Sequence, residues 1–331
     1  MVKGKRIGLA AILAVSASVA AAQEGTPADP AVTPTDEIEV RAQRRLESDQ
    51  VRDGIRQLSA PLSWSDVVPR FHEAVCPRVV GVDSKVARVI EARISAVADY
   101  VGLPKADAKC SPNAFVLILA RPPEMFEDLL DKRFGLVGSS DLRDRQVGTI
   151  RADLKAGKPA VAWNQIAIRN YDSVTIDDGG AVPVGGQEFG DGVLVTPTTF
   201  PSRLRSTTYR AKQRAVVVFD MKQLIDVEAV QLADFASLYL LGWPRREIDY
   251  DTLAASTLLT MFRDGPKQSP GEMTDFDRAY LKGVYSLRPN EWFHGLDRRV
   301  AAAYDAQCTE EGIACPAVAE PASQVRDSAG K

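Results

Sequence analysis

Histidine is scarce in this sequence: its 331 residues contain only His72 and His294. Catalytic zinc sites take three protein ligands, histidine above all, so two histidines far apart in the chain argue against a zinc enzyme. The serine-nucleophile motif GxSxG and the redox motif CxxC are also missing. The chain therefore lacks the common templates for acyl hydrolysis and for disulfide exchange.

Apolar runs of membrane-spanning length are missing as well. The N-terminus instead places three cations within its first six residues, then the apolar run Ile7–Val15 and small residues up to Ala22. This order is typical of a secretory signal peptide, and the run is too short for a bilayer core of ~30 Å. The sequence predicts a signal peptide over 1–22 with cleavage after Ala22, a periplasmic or extracellular location, and no transmembrane span in the mature chain.

The sequence also has no excess of positive charge. The chain has 41 Lys and Arg against 44 Asp and Glu, and removal of the leader with its three cations leaves a net charge of about −6. Such a balance gives no basic face for nucleic acid. The sequence indicates no cofactor, and the partner that we expect is a protein or peptide of the cell envelope.

Cysteine is present in an even number, four residues: Cys76, Cys110, Cys308 and Cys315. Disulfides are the usual state of cysteine in an exported protein, and four cysteines allow three connectivities. We favour Cys76–Cys110 and Cys308–Cys315, because the members of each pair are close in sequence. Free buried thiols are the alternative.

The remaining chain divides by composition into a linker, one domain and a tail. Residues 23–35 contain three prolines and few apolar side chains, so we expect 23–52 to be a disordered linker and entry segment. Residues 53–308 are predicted to form a single α+β domain, and 309–331 a flexible tail. Residues 36–45 are similar to the short extended box that outer-membrane receptors offer to an energising partner. The favoured alternative is a strand or entry segment of the folded domain, followed by a charged helix over 47–58.

Alternating runs of apolar residues and turn signals predict the elements of this domain. Apolar runs of strand length lie at 113–120, 160–169, 192–197 and 214–220. Helical spacing or capping signals favour helices over 86–101, 123–134, 141–156, 252–259, 278–285 and 295–307. The six glycines of 177–192 predict a long loop between strands. In the helix over 86–101, the buried face is expected to carry the apolar residues at helical spacing, Val86, Val89, Ile90, Ile94, Val97 and Val101. The charged residues Arg88, Glu91 and Arg93 are expected opposite it.

The most distinctive stretch is an apolar, β-branched run at 215–219 followed by the helix-length segment Val227–Leu241. A helix that is apolar nearly all round is a buried helix. Gln231, Asp234 and Ser237 are three residues apart, so they share one face and form a narrow polar stripe. Tyr239 is a further polar residue of this segment.

Residues 72–76 read His-Glu-Ala-Val-Cys, a zinc-motif pattern with cysteine in the last position. Pro77 follows at once and favours extended geometry at Cys76, so the two side chains do not stack on one helical face. A disulfide is the expected use of Cys76, and only His294 remains as a further histidine ligand. We therefore predict no metal site here.

Several segments together resemble an uncharacterised family of exported bacterial proteins. They are VCPRVVGV (75–82), PAVAWNQ (159–165), AVVVFD (215–220), VQLADFASLYLLG (230–242), STLLTMF (256–262) and MTDFDRAYLKGVY (273–285). The C-terminal half resembles a degenerate metzincin: QLADFASLYLLG stands in place of the metal helix, and STLLTMF is similar to the methionine-turn segment. The resemblance implies a zincin-like mixed sheet with packed helices.

The zincin motif itself is not present. A zincin helix needs two histidines one turn apart and a glutamate beside the first. Either alignment of this helix, with Gln231 or with Ala233 in the first place, supplies no histidine. We therefore expect a non-catalytic protein with a binding or structural role. The alternative is a metal-free or hard-metal hydrolase whose pocket is lined by Gln231, Asp234, Ser237 and Tyr239.

Overall fold

The computed structural model of the protein describes residues 45–59, 66–132, 136, 143–170, 173, 175–183 and 206–310. The compact unit begins at Arg45. The described residues contain eight helices: α1 (Ser48–Leu58), α2 (Ser84–Tyr100), α3 (Pro122–Lys132), α4 (Arg143–Lys155), α5 (Ala229–Leu241), α6 (Met261–Asp264), α7 (Asp275–Ser286) and α8 (Leu296–Glu310). The strands are β1 (Pro77–Val80), β2 (Ala114–Leu119), β3 (Ala160–Asn170), β4 (Thr175–Pro183) and β5 (Thr208–Asp220).

These strands form one mixed sheet in the order β1-β2-β5-β3-β4. β1, β2 and β5 are parallel, with Val79 opposite Val116 and Val116 opposite Val217. β3 runs antiparallel to both β5 and β4. The α+β class predicted from sequence is confirmed.

Helices cover both faces of the sheet, which explains why β5 is apolar at consecutive positions. Val217 and its alternate neighbours pack in a core with α2 and α5, and α1, α7 and α8 lie in the same core. Val216 and Val218 point the other way, into a second core with α3 and α4. Strand residues buried on both faces read as a continuous run, as 215–219 does.

The buried helix is confirmed as α5. Ten of its thirteen residues are buried, and it ends at Leu241, just before Trp243 and Pro244. Gly242 follows the last turn, where a Cβ would lie 2.5 Å from the Leu238 carbonyl oxygen and 2.8 Å from the Tyr280 ring. Glycine at this point lets the chain leave the helix against α7.

Other elements agree with the sequence pattern within a few residues: α1, α2, α3, α4, α7, α8, β2 and β3. β5 ends where predicted but begins at Thr208, six residues before the predicted start. α1 begins at Ser48, inside the range assigned to the linker and entry segment, and its Val51 is fully buried. In α2 the predicted burial is wrong at two positions, since Val86 and Val89 are 40% and 47% exposed. The buried face is centred instead on Ala87, Ile90 and Ile94, and the two valines lie beyond its margin.

The prediction of a long glycine-rich loop over 177–192 is wrong for residues 177–183. These residues belong to β4, which pairs with β3 through Asp178 opposite Ala167 and Ala181 opposite Gln165. A ladder supplied by the neighbouring strand overrides the low strand propensity of glycine. The rest of that loop, and the strand predicted over 192–197, lie outside the described residues.

The helix predicted over 252–259 is also wrong. Thr257 is extended and caps a 3₁₀ turn over Leu258–Thr260, which continues into α6. The Asp277 carboxylate accepts from the Thr257 hydroxyl at 2.5 Å and from the Leu258 amide at 2.8 Å. A side chain of α7 therefore determines where this turn begins. The sequence around 252–259 does not indicate this distant contact.

The Cys76–Cys110 disulfide is confirmed, with its Cα atoms 6.0 Å apart. The Cys308–Cys315 pair, the signal peptide and the C-terminal tail fall outside the described residues and side chains. Among the helices of the described ranges, none has both the length and the apolarity needed to cross a membrane.

Candidate functional site

The polar stripe of α5 lies inside the protein. Gln231 is 2% exposed, and Asp234 and Ser237 are fully buried. A buried polar side chain costs free energy unless it is hydrogen-bonded, so its partners define its role. Each of the three residues has such a partner.

Asp234 is held by a cation from the neighbouring helix. Nε and an Nη atom of Arg93 on α2 donate to its two carboxylate oxygens at 2.6 and 2.7 Å, and the Met273 amide donates to Oδ2 at 2.9 Å. The hydrogen bond to Asp234 raises the pKa of Arg93 above its ordinary value. The Arg93 side chain is 34% exposed and also contacts Glu272 at 3.3 Å. The pair is therefore a bidentate ion pair with one buried and one solvated partner.

Gln231 binds the loop between α6 and α7. Its Nε2 donates to the carbonyl oxygens of Pro266 and Pro270 at 2.9 and 2.8 Å. Together with the bond from Met273 to Asp234, these contacts attach both ends of the loop 265–274 to α5. Prolines lack an amide hydrogen but keep the carbonyl acceptors that this glutamine uses.

The other two candidate residues have different surroundings. The Ser237 hydroxyl donates to the Ala233 carbonyl of its own helix at 2.8 Å. The Tyr239 ring stacks on Phe235 with centroids 5.2 Å apart, and burial raises the pKa of Tyr239 to about 12. The structure thus brings Gln231 and Asp234 to one loop and places Ser237 and Tyr239 against the helix and an aromatic cluster.

A second polar cluster surrounds the segment 66–73, which we name the strap. The strap lies along the first half of β5: the Arg70 amide donates to the Arg210 carbonyl at 3.4 Å, and the Lys212 amide donates to the Arg70 carbonyl at 2.8 Å. The buried guanidinium of Arg70 donates to the carbonyl oxygens of Val284 and Leu287, where α7 ends. The strap therefore joins the sheet to the helical layer.

His72 lies in the strap and packs edge-on against Tyr209, with ring centroids 4.7 Å apart. Burial, and then the charges of Arg70 and Arg169, lower the pKa of His72 to about 4. Arg169 pairs with Glu73 at 2.9 Å, and the Tyr209 hydroxyl donates to Ser173 at 3.0 Å. The sequence pointed to His72 through the zinc-like pattern, but nothing in it indicated Tyr209 or Arg169 as neighbours.

Lys212, the next buried cation, was not singled out by the sequence. Its Nζ donates to the carbonyl oxygens of Leu240 and Gly242 at 2.8 and 2.7 Å, and burial lowers the pKa of Lys212 well below its ordinary value. A cation at a helix C-terminus interacts favourably with the helix dipole and the free carbonyls. Lys212 at α5 and Arg70 at α7 thus have the same structural role.

Metal ligation was considered from sequence for His72 and Cys76. The sulfur of Cys76 is used in the disulfide with Cys110. Over the ranges that the structure describes, no three His, Cys, Asp or Glu side chains gather in a group suited to a metal ion.

Comparisons with known proteins give no match: no protein-family model, no curated protein and no solved structure matches this chain. The similarity to a degenerate metzincin therefore stays a prediction that rests on the sequence segments alone.

Proposed function

We propose that this chain is an exported, non-catalytic protein with a binding or structural role in the cell envelope, built on a degenerate zincin-like scaffold. The observation that carries the proposal is the use of Asp234. Its carboxylate is bound by an arginine and a backbone amide of the protein itself.

The metal helix of a zincin directs its polar face at a metal ion and a water molecule. The polar face of α5 instead binds Arg93 on α2 and the loop 265–274. The positive charge opposite Asp234 is therefore a guanidinium, and the amide of Gln231 is occupied by two carbonyl oxygens. These contacts stabilise packing between helices and do not leave the carboxylate poised for general-base chemistry.

The alternative, a metal-free or hard-metal hydrolase, requires Gln231 or Asp234 to reach a substrate. Such a reaction would first have to break the bidentate pair with Arg93 or the bonds to Pro266 and Pro270. Breaking a pair with one fully buried partner costs several kcal/mol, on the order of 3–5. The geometry therefore favours the non-catalytic role.

Metal titration of the purified protein tests the proposal. We expect isothermal calorimetry with Zn²⁺, and separately with Mg²⁺, to show no stoichiometric binding by the wild-type chain. Binding of one zinc ion per chain at nanomolar affinity, lost in Asp234→Ala but kept in a Glu272→Ala control, would overturn it. Glu272 is a suitable control because its side chain is 64% exposed and its contact with Arg93 is longer, at 3.3 Å.

A further inference from the structure

The strap, residues 66–73, is held from two sides. On the sheet side its Arg70 forms a parallel bridge with Ala211 of β5. On the helical side Arg70 binds the last carbonyls of α7, Val67 bridges Trp292, and the Phe293 amide donates to the Asp66 carbonyl at 2.8 Å. The strap's own apolar side chains, Val68 and Phe71, are buried beneath its backbone, at 2% and 1% exposed. Its contacts therefore cover apolar surface between the two layers.

The groups that influence the pKa of His72 come from three elements. The strap itself contributes Arg70 and Glu73, β3 contributes Arg169, and β5 contributes the backbone of Arg210 as a hydrogen-bond partner. Glu73 is paired with Arg169 and its side chain is 72% exposed, so it offsets Arg169 more than it offers a counter-charge to the ring. The Arg210 guanidinium is paired with Asp66 at 2.8 Å. A proton on His72 would therefore add a cation beside Arg70 and Arg169, and among the described residues Glu73 is the carboxylate whose charge favours that proton.

We propose that His72 makes the strap acid-responsive: protonation of its ring releases residues 66–73 from β5 and from the end of α7, and exposes Val68 and Phe71. The Cys76–Cys110 disulfide retains the chain just beyond the strap, so the opening is local. The surface that opens is apolar.

The direction of the response follows from linkage. The pKa of His72 is about 4 in the closed strap, against an ordinary value of 6.5. The closed state is therefore fully favoured above pH 6.5 and loses stability as the pH falls towards 4. A difference of about 2.5 pKa units corresponds to an increase of about 300-fold in the opening equilibrium once the pH is below 4.

The chain contains two histidines, which makes the titration simple to read. In protein labelled at histidine, NMR should show two ring signals, and His294→Gln assigns them. We expect the His72 signal to titrate near pH 4 and His294→Gln to leave that titration unchanged. A His72 ring that titrates near 6.5 would overturn the proposal without any variant of the strap.

Hydrogen exchange tests the opening itself. We expect the Lys212 amide, which donates to the strap, to exchange at least tenfold faster at pH 4.5 than at pH 7.5 after division by its intrinsic rate. Amides of β2 should show no such change. In His72→Gln, which keeps a polar side chain but cannot take up the proton, the tenfold difference should vanish. If His72→Gln keeps the same acid response as wild type and His294→Gln, the strap opens for another reason and the proposal is wrong.

Discussion

Loss of the Asp234 carboxylate is expected to lower the stability of the protein strongly. Asp234→Ala removes both bonds from Arg93 and leaves the buried Met273 amide without its acceptor. We expect the free energy of unfolding to fall by about 3–5 kcal/mol, since a buried partner of an ion pair is lost. Urea unfolding followed by circular dichroism measures this change.

The control for Asp234→Ala is Glu272→Ala, which removes only the exposed partner of the same arginine. Exposed ion pairs contribute about 0–1 kcal/mol, so this variant should unfold close to wild type. Equal stability of Asp234→Ala and wild type would show that the carboxylate is not a structural anchor, and would favour the hydrolase alternative.

At the scale of single residues, the sequence predicted burial better than it predicted partners. The apolar pattern around Gln231, Asp234 and Ser237 correctly indicated that these residues lie inside the core, but only Gln231 and Asp234 contact the same loop. Arg93 and Glu91 were expected to face solvent, yet Arg93 binds Asp234 and Glu91 accepts from the Val79 amide on the edge strand β1 at 2.9 Å. A charge on a surface helix looks the same in sequence whether it meets water or a neighbouring element, so such contacts were not predictable.

Between elements, α7 packs directly on the backbone of α8 at Gly283. A Cβ at this position would meet Val300 Cγ2 and would lie 2.8 Å from the Val300 backbone nitrogen and Cα. Because backbone atoms cannot move aside as a side-chain end can, Gly283→Ala must push the two helices apart. We expect a loss of about 2–3 kcal/mol in the free energy of unfolding.

Gly148 of α4 provides the matched helical control. A Cβ there meets no atom within 4 Å, so Gly148→Ala should raise stability by up to about 1 kcal/mol through helix propensity. Differential scanning calorimetry of the two variants should give shifts of melting temperature in opposite directions. A stabilised Gly283→Ala protein would contradict the close approach of α7 to α8.

Elements with a strong apolar pattern were predicted from sequence, and elements fixed by distant partners were not. α5, β2 and β5 each have an apolar run that only burial explains. β4 contains Gly179 and Gly180 and depends on β3 for its ladder, so its local sequence favoured a loop. The segment before α6 takes its shape from Asp277, twenty residues further along the chain than Thr257.

Across the molecule, two buried basic side chains beside β5, Lys212 and Arg70, connect the sheet to the ends of helices. Lys212 on β5 binds the end of α5, and Arg70, bonded to the same strand, binds the end of α7. The C-terminal ends of two helices are thus fixed to one strand through backbone carbonyls. The class of the fold was predictable, but the division of helices between two faces was not, because a strand buried on both sides shows no alternation.

The disulfide is the strongest constraint on the unfolded chain. Cys76 and Cys110 are 34 residues apart, and the bond connects the start of β1 to the segment before β2. For a loop of this length, chain entropy gives about 4 kcal/mol of stabilisation. We therefore expect the double variant Cys76→Ser, Cys110→Ser to unfold at lower urea concentration by that free energy, with β1 and α2 losing hydrogen-exchange protection first. A double variant of Cys308 and Cys315 separates the two pairs: if it were the more destabilised of the two, the bond from β1 to β2 would not be the main covalent constraint on this fold.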